Sequence, residues 1–136
     1  MSTAGYSGTP LPRKLGLKPG MQAAWLGAPP HFPDLLGPLP DGVRLKTRAV
    51  APLDLVVLFV TRRSELARRL PALRGAVAPD GAVWAAWPKR ASAVETDVTE
   101  DVVREVALPL GLVDVKVCAI DEIWSGLRLV IRKELR

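Results

Sequence analysis

The uninterrupted apolar run Leu55–Val60, extended backwards by Leu53, constrains this chain more than any other feature. A strand with one wet face alternates apolar and polar residues, whereas a run apolar at every position reads as a strand buried on both faces. Leu53–Val60 is therefore expected at the centre of a sheet, with helices packed above and below it. It falls far short of the roughly 20 residues that a membrane span requires.

The order of the remaining segments agrees with that expectation. Thr9-Pro10 reads as a helix start, with Pro10–Leu15 as a short helix ended by Gly16. Lys18-Pro19-Gly20 turns the chain into a first strand, Met21–Leu26, followed by a brief helical crossover at Pro30–Leu36 and a second strand at Val43–Arg48. After the central strand, Leu66, Leu70 and Leu73 share one helical face, and Pro71 is expected to kink or divide that helix. Pro79-Asp80-Gly81 is a turn signal before a strand at Ala82–Trp87. Lys89–Val98 reads as a loop, and Thr99 as the cap of a helix opened by Glu100 and Asp101 and ended by Pro109 and Gly111. Val113–Ile120 and Leu127–Arg132 alternate and close the chain as a hairpin through Asp121–Gly126.

Strands separated by helices predict parallel pairing with right-handed crossovers. The expected fold is a three-layer, Rossmann-like α/β sheet of about six mostly parallel strands ending in an antiparallel C-terminal hairpin. At 136 residues the chain accommodates one such domain, expected over 18–136 after an N-terminal extension and short helix at 1–17. The opening Met1–Gly8 is small and polar and reads as a mobile or draped segment. Without an apolar signal core the chain is expected in the cytoplasm. The lone Cys118 lies in an alternating strand pattern and reads as a reduced structural residue.

In open α/β sheets ligands lie beyond the carboxyl ends of the strands, where the strand order reverses. With an order of second, first, third, fourth strand, that edge collects Gly27, Arg48, Arg62, Lys89 and Arg90. It would suit an anionic small molecule, or a protein partner. Trp87-Pro88-Lys89 is expected to offer an indole platform beside an ammonium, although Trp84 and Trp87, at an odd spacing, face opposite sides of a regular strand. Asp97 is expected to pair with Lys89 or Arg90 as a clasp or gate over this edge. The acids of Glu95–Asp101 read as capping and dipole compensation, and no metal site is expected from them. His31 is the only histidine and Asp34 lies in reach of it on a helix, but no nucleophile motif accompanies them. The net charge of +5 is dispersed among acids, so nucleic acid is a disfavoured partner. Dimerisation through the edge of the C-terminal hairpin stands as an alternative without any ligand.

The turn Gly27-Ala28-Pro29-Pro30, the central apolar strand, the Ala78-Pro79-Asp80-Gly81 turn into Ala82-Val83-Trp84 and the closing hairpin together resemble the methyltransferases that use S-adenosylmethionine. The resemblance covers most of residues 18–133. It implies a glycine-rich first turn and an acid ending the second strand to hold the cofactor's ribose. Here Gly27 is the only glycine of that turn, and the second strand ends at Lys46-Thr47-Arg48. The resemblance thus implies a reduced, non-catalytic module without cofactor. The alternative is a reduced S-adenosylmethionine-dependent enzyme whose pocket is completed by Gly5–Thr9. At the level of longer strings, Gly5-Tyr6-Ser7-Gly8-Thr9-Pro10-Leu11, Trp87-Pro88-Lys89, Thr96–Asp101 and Trp124-Ser125-Gly126-Leu127 are similar to a small, largely actinobacterial family of unknown function.

Overall fold

The central strand forms where its apolar run predicts, at Leu53–Phe59 (β3), and pairs in parallel with a strand on each side. This computed structural model describes residues 8–136; the greater part of the opening segment, including most of Gly5–Thr9, lies outside the described residues. The other strands are β1 (Gln22–Leu26), β2 (Arg44–Lys46), β4 (Val77–Pro88), β5 (Leu112–Ala119) and β6 (Trp124–Ile131). They form one sheet in the order β2-β1-β3-β4-β6-β5. The first four are parallel, while β6 runs antiparallel to both β4 and β5.

Both faces of β3 are covered, as a strand without a polar side requires. Val56 and Leu58 pack with Leu66, Leu70 and Leu73 of the helix α3 (Arg63–Ala76) and Val103 and Ala107 of α4 (Glu100–Ala107). On the opposite face Leu55, Val57 and Phe59 meet Leu15 of α1 (Leu11–Leu15) and Phe32 and Leu36 of α2 (Phe32–Leu36). Trp84 on β4 belongs to this second core and is fully buried, its indole N–H donating to Leu15 O at 2.9 Å. Trp87 belongs to the first, so the odd spacing does place the two indoles on opposite faces.

Caps set the helix ends largely as expected. Gly16 closes α1 in the left-handed region at φ +85°, and Thr99 Oγ1 accepts from Val102 N–H at 3.2 Å to open α4. Leu108–Leu110 tightens into one 3-10 turn before Gly111. Four details depart from the expected pattern. Pro71 neither divides nor ends α3, which stays one helix of 14 residues. Pro71 and Ala67, one turn earlier, are both exposed, so water can take the carbonyl that proline leaves unpaired, while the buried leucines hold the helix in place. The Ala78–Gly81 turn is a bulge inside β4, because Leu53 opposes Val77 and Leu55 already opposes Ala82. Gly81 is needed there, since a Cβ would lie 2.7 Å from Val77 Cγ2 and 2.8 Å from Asp54 O. β2 is shorter than expected: Lys46 Nζ donates to Val50 O and Pro52 O, at 3.1 and 2.8 Å, and folds the chain back at once. The hairpin turn is tighter than Asp121–Gly126, because Asp121 Oδ1 accepts from the N–H groups of Ile123 and Trp124 and lets β6 begin at Trp124.

The Trp84 indole, together with Lys14 Nζ bonded to Ala119 O, fastens α1 to the sheet. Trp84→Phe should cost about 2 kcal/mol through the orphaned Leu15 carbonyl and the lost ring volume. A chemical denaturation curve would show it, and proteolysis of the variant should begin near α1.

Candidate functional site

The chain leaves β1 for β2 on one side and returns to β3 on the other, so the strand order reverses between β1 and β3, and the crevice beyond their carboxyl ends is the expected ligand position. Gly27 ends β1 at φ +66°, and a Cβ there would lie 2.8 Å from Phe59 O. The first turn therefore runs directly against the end of β3. Phe32 N–H then donates to Pro29 O at 3.0 Å, which drops the chain into α2 within a few residues.

That descent lays Phe32, fully buried, over the carboxyl end of β3 on the α1–α2 face of the sheet. Its ring meets Phe59 edge-on with centroids 4.9 Å apart and Trp25 at 5.5 Å, and Phe59 meets Trp124 at 5.1 Å. Four aromatic rings thus span the carboxyl end of the sheet, from β1 to β6. Edge-to-face contacts of this kind each add about 1 kcal/mol beyond the area they bury.

Polar groups fasten the rings from outside. His31 Nε2 and Asp121 Oδ2 lie 2.9 Å apart, joining the turn after β1 to the turn between β5 and β6. Lys89, just past β4, donates its ammonium to Asp121 O and its backbone N–H to Ile123 O, both at 2.7 Å. Burial pushes the Asp121 carboxyl up, but the hydrogen bond from His31 and the N–H groups of Trp124 and Ile123 outweigh it and hold the group below the usual aspartate range. The imidazole is 46% exposed, the carboxylate largely covered. His31 is thus partnered by Asp121, not by Asp34. Nothing local announces this pairing, since 90 residues separate the two; the sequence signal for Asp121 is only that of an aspartate opening a turn.

The residues expected at this edge meet different fates. Gly27 is fixed by the close approach of Phe59 O. Arg48 and Arg90 are exposed and have no side-chain partner among the described residues. Arg62 reaches Glu95 at 3.5 Å. Lys89 is spent on the hairpin turn. Trp87 is 7% exposed and packed into the core under α3 and α4, so it offers no stacking face; Trp25 and Trp124 are the half-buried indoles of this edge. Asp97 does not reach Lys89 or Arg90: its Oδ1 accepts from Arg63 N–H at 2.6 Å and caps the first turn of α3. Thr96 supports it by donating to Thr61 O at 2.6 Å. The acidic run closes on a helix start, not over the basic edge. Glu100 and Asp101 pair with Arg104, which also holds Asp114.

A separate pocket of about 470 Å³ lies at the opposite end of the sheet, lined in part by Pro10, Pro12, Arg13, Lys18, Pro38 and Pro40. Among the described residues no helix is long and apolar enough to cross a membrane.

No family model matches the chain, and no curated protein matches it. Solved structures do share its fold. A possible exported protein from Bordetella parapertussis superposes with a TM-score of 0.61 at 14% identity over 90% of this chain, which spans 66% of that protein, just under two thirds. A TehB-like SAM-dependent methyltransferase from Corynebacterium glutamicum gives 0.56 at 12% identity, covering 95% of this chain and 91% of its own. Aeropyrum pernix fibrillarin, with natively bound S-adenosyl-L-methionine, gives 0.55 at 16% identity over 90% of this chain and 69% of its own. The chain has a methyltransferase-like Rossmann fold.

The Asp121 fastening has a pH signature. A carboxyl held below its unfolded value contributes stability that is present above the ordinary aspartate range and is lost as pH falls below about 4, through the depressed folded value. In His31→Ala the largest favourable partner is gone while burial remains, so the Asp121 pKa should rise. Carbon-detected NMR titration of the side-chain carboxyl checks this; an unmoved titration would show that His31 does not hold the charge.

Proposed function

We propose that this chain is a methyltransferase-fold module that carries out no methyl transfer and instead receives an anionic small molecule or a protein partner at its basic carboxyl edge. The observation that carries this reading is Phe32, fully buried on Phe59 in the α1–α2 core at the carboxyl end of β3, beside the switch point where a sheet of this topology takes its ligand. A cofactor entering there would meet a ring held by two edge-to-face contacts, next in sequence to His31, which pairs with Asp121. The first turn supports the same reading: its one glycine faces the Phe59 carbonyl, leaving no open cradle of N–H groups for an anionic cofactor.

What the edge offers lies outside the plug. Arg48 and Arg90 are free to meet an anion, with Arg62 and Lys89 adding field from positions already engaged. Trp124, beside Asp121, takes the apolar role first assigned to Trp87. The second reading, a reduced S-adenosylmethionine-dependent methyltransferase, is favoured by fibrillarin, which binds that cofactor on the same fold, and it requires the cofactor to fit beside Phe32.

One titration separates the two. Isothermal calorimetry with S-adenosylhomocysteine should show no binding, and micromolar affinity would establish the second reading. In parallel, a thermal-shift series with inorganic phosphate and nucleotides should raise the melting temperature. Arg48→Ala combined with Arg90→Ala should weaken that binding roughly tenfold, equivalent to about 1.4 kcal/mol, without lowering the melting temperature of the free protein. Undiminished affinity in the double variant would overturn the rim assignment.

A further inference from the structure

The two outer strands of the sheet are guarded differently. On β5, Asp114 opposes Leu129 and Lys116 opposes Arg128, so Val115 is an extra residue and the free edge is bulged. Arg104 of α4 also holds Asp114 from the side, with Nε 3.0 Å from Oδ2. A bulge with a lysine beside it is a common defence against strand addition, and it weighs against dimerisation through this hairpin. β2 has no bulge, and its protection is only its shortness and the charges of Arg44 and Lys46. Its register against β1 is continuous from Arg44 to Lys46, it contains no proline, and among the described residues β1 is its only partner. Arg44 N–H donates to Met21 O at 2.9 Å, so by the alternation of a parallel ladder the N–H and C=O of Leu45 point to the open side.

Charge selects what fits there. Arg44, Lys46 and Arg48 recur at every second position, and no acid lies between Val43 and Pro52. Lys46 is engaged by the carbonyls of its own loop, whereas Arg44 and Arg48 have no side-chain partner among the described residues. Leu45 is 48% exposed and Val50 51%. A second copy of the chain fits badly, because antiparallel pairing about Leu45 would set Arg44 opposite Lys46 in both directions, and like charges directly opposite are destabilising. An extended segment with acids at alternate positions and apolar residues between them reverses that sign. Its acids would face the arginines, its apolar side chains would lie beside Leu45, and its backbone would take the Leu45 N–H and C=O.

We infer that the free edge of β2 receives an acidic, extended segment of a partner protein as a seventh strand. Arg48 is shared with the proposed carboxyl rim, whereas Arg44 and Leu45 take no part in that site, so the Leu45 amide reports on this edge alone. The probe is a capped peptide of alternating glutamate and valine, with the lysine–valine peptide as control, titrated into nitrogen-15 labelled protein. The expected result is a saturable shift and slowed hydrogen exchange at the Leu45 amide with the acidic peptide only. Arg44→Glu with Arg48→Glu should invert the preference, so that the lysine peptide binds and the glutamate peptide does not. Leu45→Pro, which removes an outward N–H that the fold itself does not use, should abolish binding with the remaining spectrum intact. A Leu45 amide unmoved by the acidic peptide, equal binding of both peptides, or self-association in sedimentation that Leu45→Pro abolishes would each overturn the inference.

Discussion

β3 has no wet side, and the rest of the architecture follows from covering it. On one face the cover is ordinary: α3 and α4, 14 and 8 residues long, lay leucines and valines over Val56 and Leu58. On the other face the chain provides two helices of five residues each. So little helix cannot close the layer with aliphatic side chains, and large rings supply the missing volume: Trp84 under α1, and Phe32 and Phe59 between α2 and the sheet. A buried aromatic side chain removes roughly 150–250 Å² from water, which makes it the economical filler for a short cover. The aromatic plug beside the switch point and the brevity of the crossover are therefore one fact seen twice. A longer α2 could have covered the face with aliphatic side chains.

Asp121 shows how such a plug is kept shut. It is the single buried charged side chain among the described residues, and its oxygens are accounted for: Oδ1 takes two backbone N–H groups, Oδ2 takes His31. A carboxylate this fully satisfied is a fastening more than a base, because any proton it accepted would cost the partners that hold it. Its own carbonyl accepts Lys89, so the turns after β1 and between β5 and β6 and the end of β4 are drawn to one residue. On the same α1 and α2 side of the sheet, Lys14 Nζ reaches Ala119 O at 3.0 Å and ties α1 to β5.

The features legible in the sequence are those decided locally. The apolar run of β3, the Gly16 and Thr99 caps, and the opposite facing of Trp84 and Trp87 all follow from period and turn chemistry within a few residues. What was illegible depends on what lies across the fold. Pro71 sits inside a helix because its face is wet, which composition does not reveal. Asp97 caps α3 instead of pairing with Lys89 or Arg90, because the Arg63 N–H at a helix start competes for a carboxylate at least as well as a solvated cation does. Trp87 has the chemistry of a stacking platform, and only its burial under α3 and α4 withdraws it. The candidate edge could be located from strand order, while its contents, the ring plug and the His31–Asp121 pair, are products of packing between distant segments.

The basic character of the chain divides along the same line. The arginines of α3 and its start are largely structural: Arg62 and Arg63 reach Glu95 and Glu105, Arg69 lies near Glu65, and Arg74 donates to Leu110 O. These contacts neutralise much of the charge that the sequence displays most densely. Among the described residues Arg44, Arg48 and Arg90 have no side-chain partner at β2 and along the carboxyl edge, and neither have Arg68 on α3, Arg13 and Lys18 beside the opposite-end pocket, or Lys133. Net charge alone would suggest indiscriminate attraction to polyanions; ion pairs with Glu65, Glu95 and Glu105 instead remove part of that charge from the α3 side, and what remains is spread over separate parts of the surface.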